Sequence, residues 1–160
     1  LNKSSRRITL STSGISKMIR KIADDGLKVN LALSLHAASE EKRNSIMPIG
    51  ESNSLTELRD SLKYYFSKIK KKITYEYILL KDINDGLEDA KDLYNFTKHV
   101  PSKVNLIEYN LVDGLDYDKS SVEKLNLFIE YLERRGLNVG IRRSRGEDIN
   151  AACGQLANKN

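Results

Sequence analysis

Cys153 is the only cysteine among 160 residues. It lies in the run Ser144-Arg145-Gly146-Glu147-Asp148-Ile149-Asn150-Ala151-Ala152-Cys153-Gly154-Gln155-Leu156, between two glycines and without a regular apolar period. A free cysteine commonly behaves as a small buried hydrophobe. Here Arg142, Arg143 and Arg145 stand just upstream, and neighbouring cations lower a thiol's pKa towards the nucleophilic thiolate. On these residues alone, a structural and a reactive Cys153 both stay open. His36 closes an apolar run, where it fits a ligand contact or acid–base group as well as it fits a satisfied structural histidine. Glu76 stands mid-run between Tyr75 and Tyr77. A carboxylate buried there needs a partner, and Arg142 or Arg143 is the obvious one.

The elements that must position these groups follow from periodicity. Apolar, β-branched runs at residues 8–11, 29–35, 73–80, 104–109 and 139–143 read as five strands. Between them, Ile15, Met18, Ile19 and Ile22 form one helical stripe, with Gly26 as its stop. Leu55, Leu58, Leu62, Phe66 and Ile69 form a second, opened by Ser54 with Glu57 three residues on. Leu87, Ala90, Leu93, Tyr94 and Thr97 form a third. Val122, Leu125, Phe128, Ile129 and Leu132 form a fourth, with Ser120 and Glu123 as the expected cap. A short extra helical turn is expected over residues 40–45.

Strand–helix repeated four times and then a fifth strand predicts a parallel sheet with right-handed crossovers. The expected fold is α/β, a partial (β/α) barrel with outer helices, because five strands cannot close an eight-stranded barrel. In such folds the working face lies at the carboxyl ends of the strands. Those ends read Ser11-Thr12-Ser13-Gly14, Ser34-Leu35-His36, Leu79-Leu80, Asn110 and Ser144-Arg145-Gly146. Each polar end alone fits a cap or turn, as Ser13 would for the helix after Ile15. Together they form a polar rim suited to a ligand with hydroxyl, amino and carboxylate groups.

Hydrophobic residues make up 39% and charged residues 31% of the chain, the balance of an ordinary globular protein. No apolar run approaches the ~20 residues of a membrane span, and the first five residues contain no signal-peptide core. Cytoplasm is the expected compartment. One cysteine excludes an intrachain disulfide and an all-cysteine metal cluster within this chain. A first residue other than methionine is what a piece of a longer protein would show. The net charge of +5, with basic clusters at Arg6-Arg7, residues 68–72 and residues 142–145, is compatible with RNA. The lysine run by itself is equally a solvated face, and there is no RNP motif or zinc knuckle.

Taken in order, several segments resemble one family. These are Arg6-Arg7-Ile8-Thr9-Leu10-Ser11-Thr12-Ser13-Gly14, Asn30-Leu31-Ala32-Leu33-Ser34-Leu35-His36-Ala37, Met47-Pro48-Ile49, Tyr75-Glu76-Tyr77 and Val104-Asn105-Leu106-Ile107 with Tyr109-Asn110. The last is Arg143-Ser144-Arg145-Gly146-Glu147-Asp148-Ile149 with Ala151-Ala152-Cys153-Gly154-Gln155-Leu156. They resemble the C-terminal part of the dual-specificity ribosomal and transfer RNA adenine-C2 methyltransferases, which are radical S-adenosylmethionine enzymes. The related adenine-C8 methyltransferases share the Ala-Cys-Gly-Gln-Leu ending and match less well at residues 11–14 and 143–148.

The resemblance implies contacts to S-adenosylmethionine from Ser11, from Ser34, Leu35 and His36, and from Asn110. It implies that Cys153 is itself methylated and then carries the methyl group to carbon 2 of adenine by a radical route. It also implies a [4Fe-4S] cluster whose CxxxCxxC ligands, with a second cysteine and a glycine–glutamate contact, belong upstream of the first strand. Its partners would be 23S ribosomal RNA and transfer RNA, with residues 1–156 as the C-terminal part of the barrel domain and 157–160 as a disordered tail. Without the cluster motif this stretch alone is expected to be inactive, and its first strand to lie at an open edge through which copies self-associate. Departures from the family pattern are Glu108 and Leu111 around Tyr109-Asn110, and Gly50. Two other readings remain: a non-catalytic nucleotide- or RNA-binding partial barrel, and a Cys153–His36 hydrolase, which no oxyanion-hole spacing supports.

Overall fold

The computed structural model describes residues 8–47, 53–110 and 116–143. Five strands, β1 (Thr9–Thr12), β2 (Asn30–Ser34), β3 (Ile73–Leu79), β4 (Ser102–Glu108) and β5 (Asn138–Arg143), lie parallel in one sheet in the order of the chain. Helices α1 (Ser16–Asp24), α3 (Leu55–Ile69), α4 (Leu87–Thr97) and α5 (Val122–Glu133) connect them, and the short α2 (Glu40–Ile46) follows β2. The expected α/β architecture and the extra turn before Pro48 are both present.

Alternation along the strands explains the layers. Leu31 and Leu33 of β2, Tyr75 and Tyr77 of β3, and Val104 and Leu106 of β4 are fully buried against the helices. They meet Ile19, Leu58, Leu62, Tyr65, Leu93 and Phe128, which supply the inward stripes of α1, α3, α4 and α5. Met18, placed by its spacing on the α1 stripe, instead stays 47% exposed. A second, smaller apolar cluster at the carboxyl end joins Ile78, Leu80 and Ile107 to Ile46, Met47, Tyr109 and Tyr117.

Two helix starts differ from expectation. Ile15, not Ser13, is the N-cap of α1 and makes no side-chain cap. Ser121, one residue beyond Ser120, caps α5 by accepting from the Lys124 N–H, while the Ser120 hydroxyl donates to Asp85 at 2.7 Å. Ser54 caps α3 as expected, accepting from the Glu57 N–H at 3.1 Å.

β1 and β5 are the two edges among the described residues, so the sheet is open. Ile8 and Leu10 are 46% and 36% exposed beside the β1 edge, and Ile141 on β5 is 55% exposed. Unpaired strand edges with apolar side chains template pairing with other chains. The isolated 160-residue chain is therefore expected to self-associate in sedimentation at high concentration. A clean monomer with exchange-protected amides at Thr9 and Ser11, which the register turns away from β2, would show that β1 is covered by another element.

Candidate cofactor site at the carboxyl ends of the strands

The sheet face turned away from the helices is polar and recessed over its amino half, while Ile78 and Ile107 make its carboxyl end apolar. A cavity of about 490 Å³ is lined by Thr9, Asn30, Ala32, Thr74, Glu76 and Asn105, with lysines at its amino end. Four adjacent strands bound it, which requires the sheet to curl as a partial barrel does. Register places the side chains. Ser11 pairs with Ala32, and Ser34 pairs with Glu76, which in turn pairs with Asn105 and then Gly140. Ser11, Ser34 and Glu76 thus share the open face, with the small Ala32 leaving room between them.

Glu76 finds the partner expected for it. Arg142 Nη2 lies 3.4 Å from Glu76 Oε2, and Asn105 Nδ2 donates to Glu76 Oε1 at 3.4 Å. Gly140 permits this arrangement, because a Cβ there would stand 3.0 Å from Asn105 Oδ1. The ion pair is partly solvated and long, so it ties β3 to β5 more than it stabilises the fold.

At the carboxyl end of β2 the backbone makes an unusual turn. His36 has φ +60°, and the Ala37 N–H donates to the Leu35 carbonyl at 2.8 Å. A hydrogen bond from residue i+2 to residue i around a positive φ is the rare, strained form of the γ-turn. Such a conformation costs roughly 1–3 kcal/mol and persists only where its surroundings over-determine it. The His36 ring is buried, and its Nδ1 accepts from the Ile78 N–H at 3.0 Å. Burial first, and the nearby Arg43 cation second, push its pKa down to about 3. The imidazole is therefore neutral, with Nδ1 committed to the backbone, which removes it as a general acid near neutral pH. The paired role proposed with Cys153 for hydrolysis loses its base.

Two side chains that the sequence did not single out hold this turn. Arg43 of α2 is 1% exposed, its Nε donating to the Leu35 carbonyl at 3.3 Å and its Nη2 to the Ser13 carbonyl at 2.7 Å. Asn84 is fully buried. Its Nδ2 donates to the carbonyls of His36 at 2.7 Å and Ile78 at 2.8 Å, and its Oδ1 accepts from the Leu80 N–H at 2.8 Å. Gly14, at φ +100°, lies so close to Arg43 that a Cβ would meet Nη2 at 2.9 Å. The signals were present in weak form. Arg43 and Ile46 are three apart on a one-sided short helix, and Asn84-Asp85-Gly86 reads as a turn.

Ser34 is half-buried, Leu35 buried and Asn110 exposed just past β4, while Ser11 is exposed near the end of β1. The donor set suits the hydroxyl, amino and carboxylate groups of S-adenosylmethionine: serine hydroxyls on neighbouring strands donate and accept, as does an amide. Among the described residues there is no group of three or more His, Cys, Asp or Glu able to hold a metal ion. An iron–sulfur cluster therefore has no ligands there. Cys153, with residues 144–160, lies outside the described residues.

Known proteins match this arrangement. No family model matches the chain. A protein of Christiangramia forsetii named "Probable dual-specificity RNA methyltransferase RlmN" is 55% identical over 99% of the chain. One of the same name from Clostridium beijerinckii is 47% identical over 98%. The crystal structure of a radical SAM methyltransferase from Sphaerobacter thermophilus superposes with TM-score 0.87 over 99% of the chain at 36% identity. The chain belongs to the RlmN-like radical SAM methyltransferases. It corresponds to their C-terminal part. It spans about half the length of the curated relatives it matches, 45% of the first, and 46% of the Sphaerobacter chain. Streptococcus suis SuiB, at 17% identity and TM-score 0.60, shares the fold with this RlmN-like chain. No described helix of it is long and apolar enough to cross a membrane.

The basic clusters divide between the two ends. Lys71, Lys72 and Lys103 line the amino end of the cavity, away from Ser34 and His36, and Lys71 Nζ donates to the Lys28 carbonyl at 2.9 Å. Only Arg142 and Arg143 of the described cations in these clusters stand at the carboxyl end of β5.

Proposed function

We propose that, within a full-length enzyme, this chain supplies S-adenosylmethionine contacts and the methyl carrier of a methyltransferase acting on carbon 2 of adenine in 23S ribosomal RNA and transfer RNA. The observation that carries the reading is the placing of Ser11 and Ser34 on one polar face at adjacent carboxyl strand ends. Those are the positions at which the resemblance puts cofactor contacts. When bound, S-adenosylmethionine supplies the methyl group and, by reductive cleavage, the radical that an electron-poor ring carbon requires. Ser11, the segment from Ser34 to His36, and Asn110 hold it. The Cys153 thiolate would accept the methyl group on its sulfur with S-adenosylhomocysteine leaving, and Arg142, Arg143 and Arg145, just upstream, would favour that thiolate. The [4Fe-4S] ligands belong to the part of the enzyme outside this chain, and the RNA substrates place the enzyme in the cytoplasm.

The test is nucleoside analysis of RNA treated with the reconstituted full-length protein. The account expects 2-methyladenosine in 23S ribosomal RNA and in transfer RNA. Formation of 8-methyladenosine would assign the chain to the related carbon-8 chemistry. No methylated adenine with an intact cluster would overturn the reading.

A further inference from the structure

We infer that Arg43 and Asn84 are positioning residues of the cofactor site, a buried clamp that sets the strained turn at His36 and joins the exits of β1 and β2. The inference rests on the proposed cofactor reading and adds to it two residues whose side chains hold backbone carbonyls of the turn.

The geometry is specific. The Leu35–His36 turn has its carbonyls held from two sides, Leu35 by Arg43 and His36 by Asn84. The ring of the same histidine is fixed by the Ile78 N–H. Leu35 itself is anchored to β3 through its N–H and the Glu76 carbonyl at 3.0 Å. Every one of these partners is buried or lies in a strand, so the turn has no solvent in which to relax. Arg43 does a second task with its other nitrogen. By donating to the Ser13 carbonyl it fixes the loop directly after Ser11, and Gly14 is the residue that leaves space for it. One guanidinium thus spans the two loops that follow β1, which carries Ser11, and β2, which carries Ser34.

A guanidinium is suited to this because its donors diverge in a rigid plane and satisfy two carbonyls at fixed separation. A lysine at the same place reaches one carbonyl only. Asn84 is itself locked. Its carbonyl accepts from the Tyr77 hydroxyl at 2.7 Å, and Asp85 beside it accepts from the Asp82 N–H and the Ser120 hydroxyl. The clamp therefore extends from α2 through the β2 exit to the loop after β3. Strain held by a buried network at the mouth of a site is how a backbone is kept in a binding conformation before the ligand arrives.

The test uses the full-length, cluster-loaded enzyme and three variants: Arg43→Lys, Asn84→Ala and, as a control in the core at the far end of α3, Ile69→Val. Equilibrium binding of S-adenosylmethionine is measured by calorimetry beside the melting temperature of each. Affinity should fall about tenfold or more in Arg43→Lys and Asn84→Ala, since each loses a buried charged or amide hydrogen bond. Ile69→Val should bind as the parent does even where its melting temperature drops. Parent-like affinity in both clamp variants would overturn the inference. If one fails to fold, the affinity of the other decides it. A parent enzyme that does not bind S-adenosylmethionine at all would overturn the cofactor reading, and the clamp with it.

Discussion

Replacing Cys153 by alanine in the full-length enzyme should reduce RNA methylation to background while leaving iron content unchanged. The thiol is the methyl acceptor in this account and alanine offers no nucleophile, so no other residue of the chain can take its place. It is the chain's only cysteine. Cys153→Ser should behave likewise, because a hydroxyl near neutral pH lacks the thiolate's nucleophilicity. Iron and sulfide analysis of each variant separates loss of the carrier from loss of the cluster. Multiple-turnover methylation by the alanine variant would sink the assignment.

The second large effect concerns acid. His36 is neutral in the folded protein, its pKa pushed down to about 3 from an ordinary 6.5, by burial and then by Arg43. The unfolded chain protonates it near 6.5, so between those values the unfolded state binds the extra proton. Stability is complete above about 6.5, falls as pH drops through the window, and loses nothing further from this group below about 3. The slope is about 1.4 kcal/mol per pH unit, or about 2 kcal/mol between pH 6.5 and 5, before most carboxylates titrate. The pKa of His99, the other histidine, is lowered too, by desolvation and then by the Arg59, Lys63 and Lys98 cations, and acts in the same direction, but its exposure leaves those charges screened. Hydrogen exchange at the Ile78 amide, which donates to His36 Nδ1, reports the loss directly once corrected for intrinsic rates. Protection should fall about tenfold per pH unit in this range. In His36→Asn, whose side chain tolerates the left-handed backbone and offers an oxygen acceptor, that dependence should flatten. An unchanged slope would place the acid sensitivity elsewhere.

The architecture was legible because each strand alternates or runs apolar and each helix carries an apolar stripe, though Met18, Leu87 and Val122 of those stripes stay exposed. Leu58, Leu62 and Ile69 read as the buried face of α3 from spacing alone, although the stripe took Phe66 where Tyr65 is the buried ring. The polar rim was legible as well: Ser11 and Ser34 follow from the rule that parallel sheets work at their carboxyl ends. So was a cation of β5, Arg142 or Arg143, as the partner of Glu76, because a carboxylate buried mid-strand needs one; the structure selects Arg142. What escaped was everything set by backbone geometry. His36 looks titratable in sequence, yet only the positive φ and the Ile78 N–H make it a fixed, neutral acceptor. Arg43 looks like one more surface cation of an acidic-to-basic short helix. Its burial depends on where Ser13 and Leu35 point their carbonyls, which no local pattern encodes. Ser120 failed as a cap for a similar reason, its hydroxyl being drawn to Asp85 from a distant loop.

The central claim is that this chain carries the methyl group on its own sulfur. Mass spectrometry of the peptide containing Cys153, from enzyme isolated with S-adenosylmethionine and without RNA, tests it most directly. The account predicts one methyl group, localised by fragmentation to the Cys153 sulfur and passed to adenine when RNA, reductant and further S-adenosylmethionine are added. An unmodified Cys153 in enzyme that nevertheless methylates adenine would contradict it.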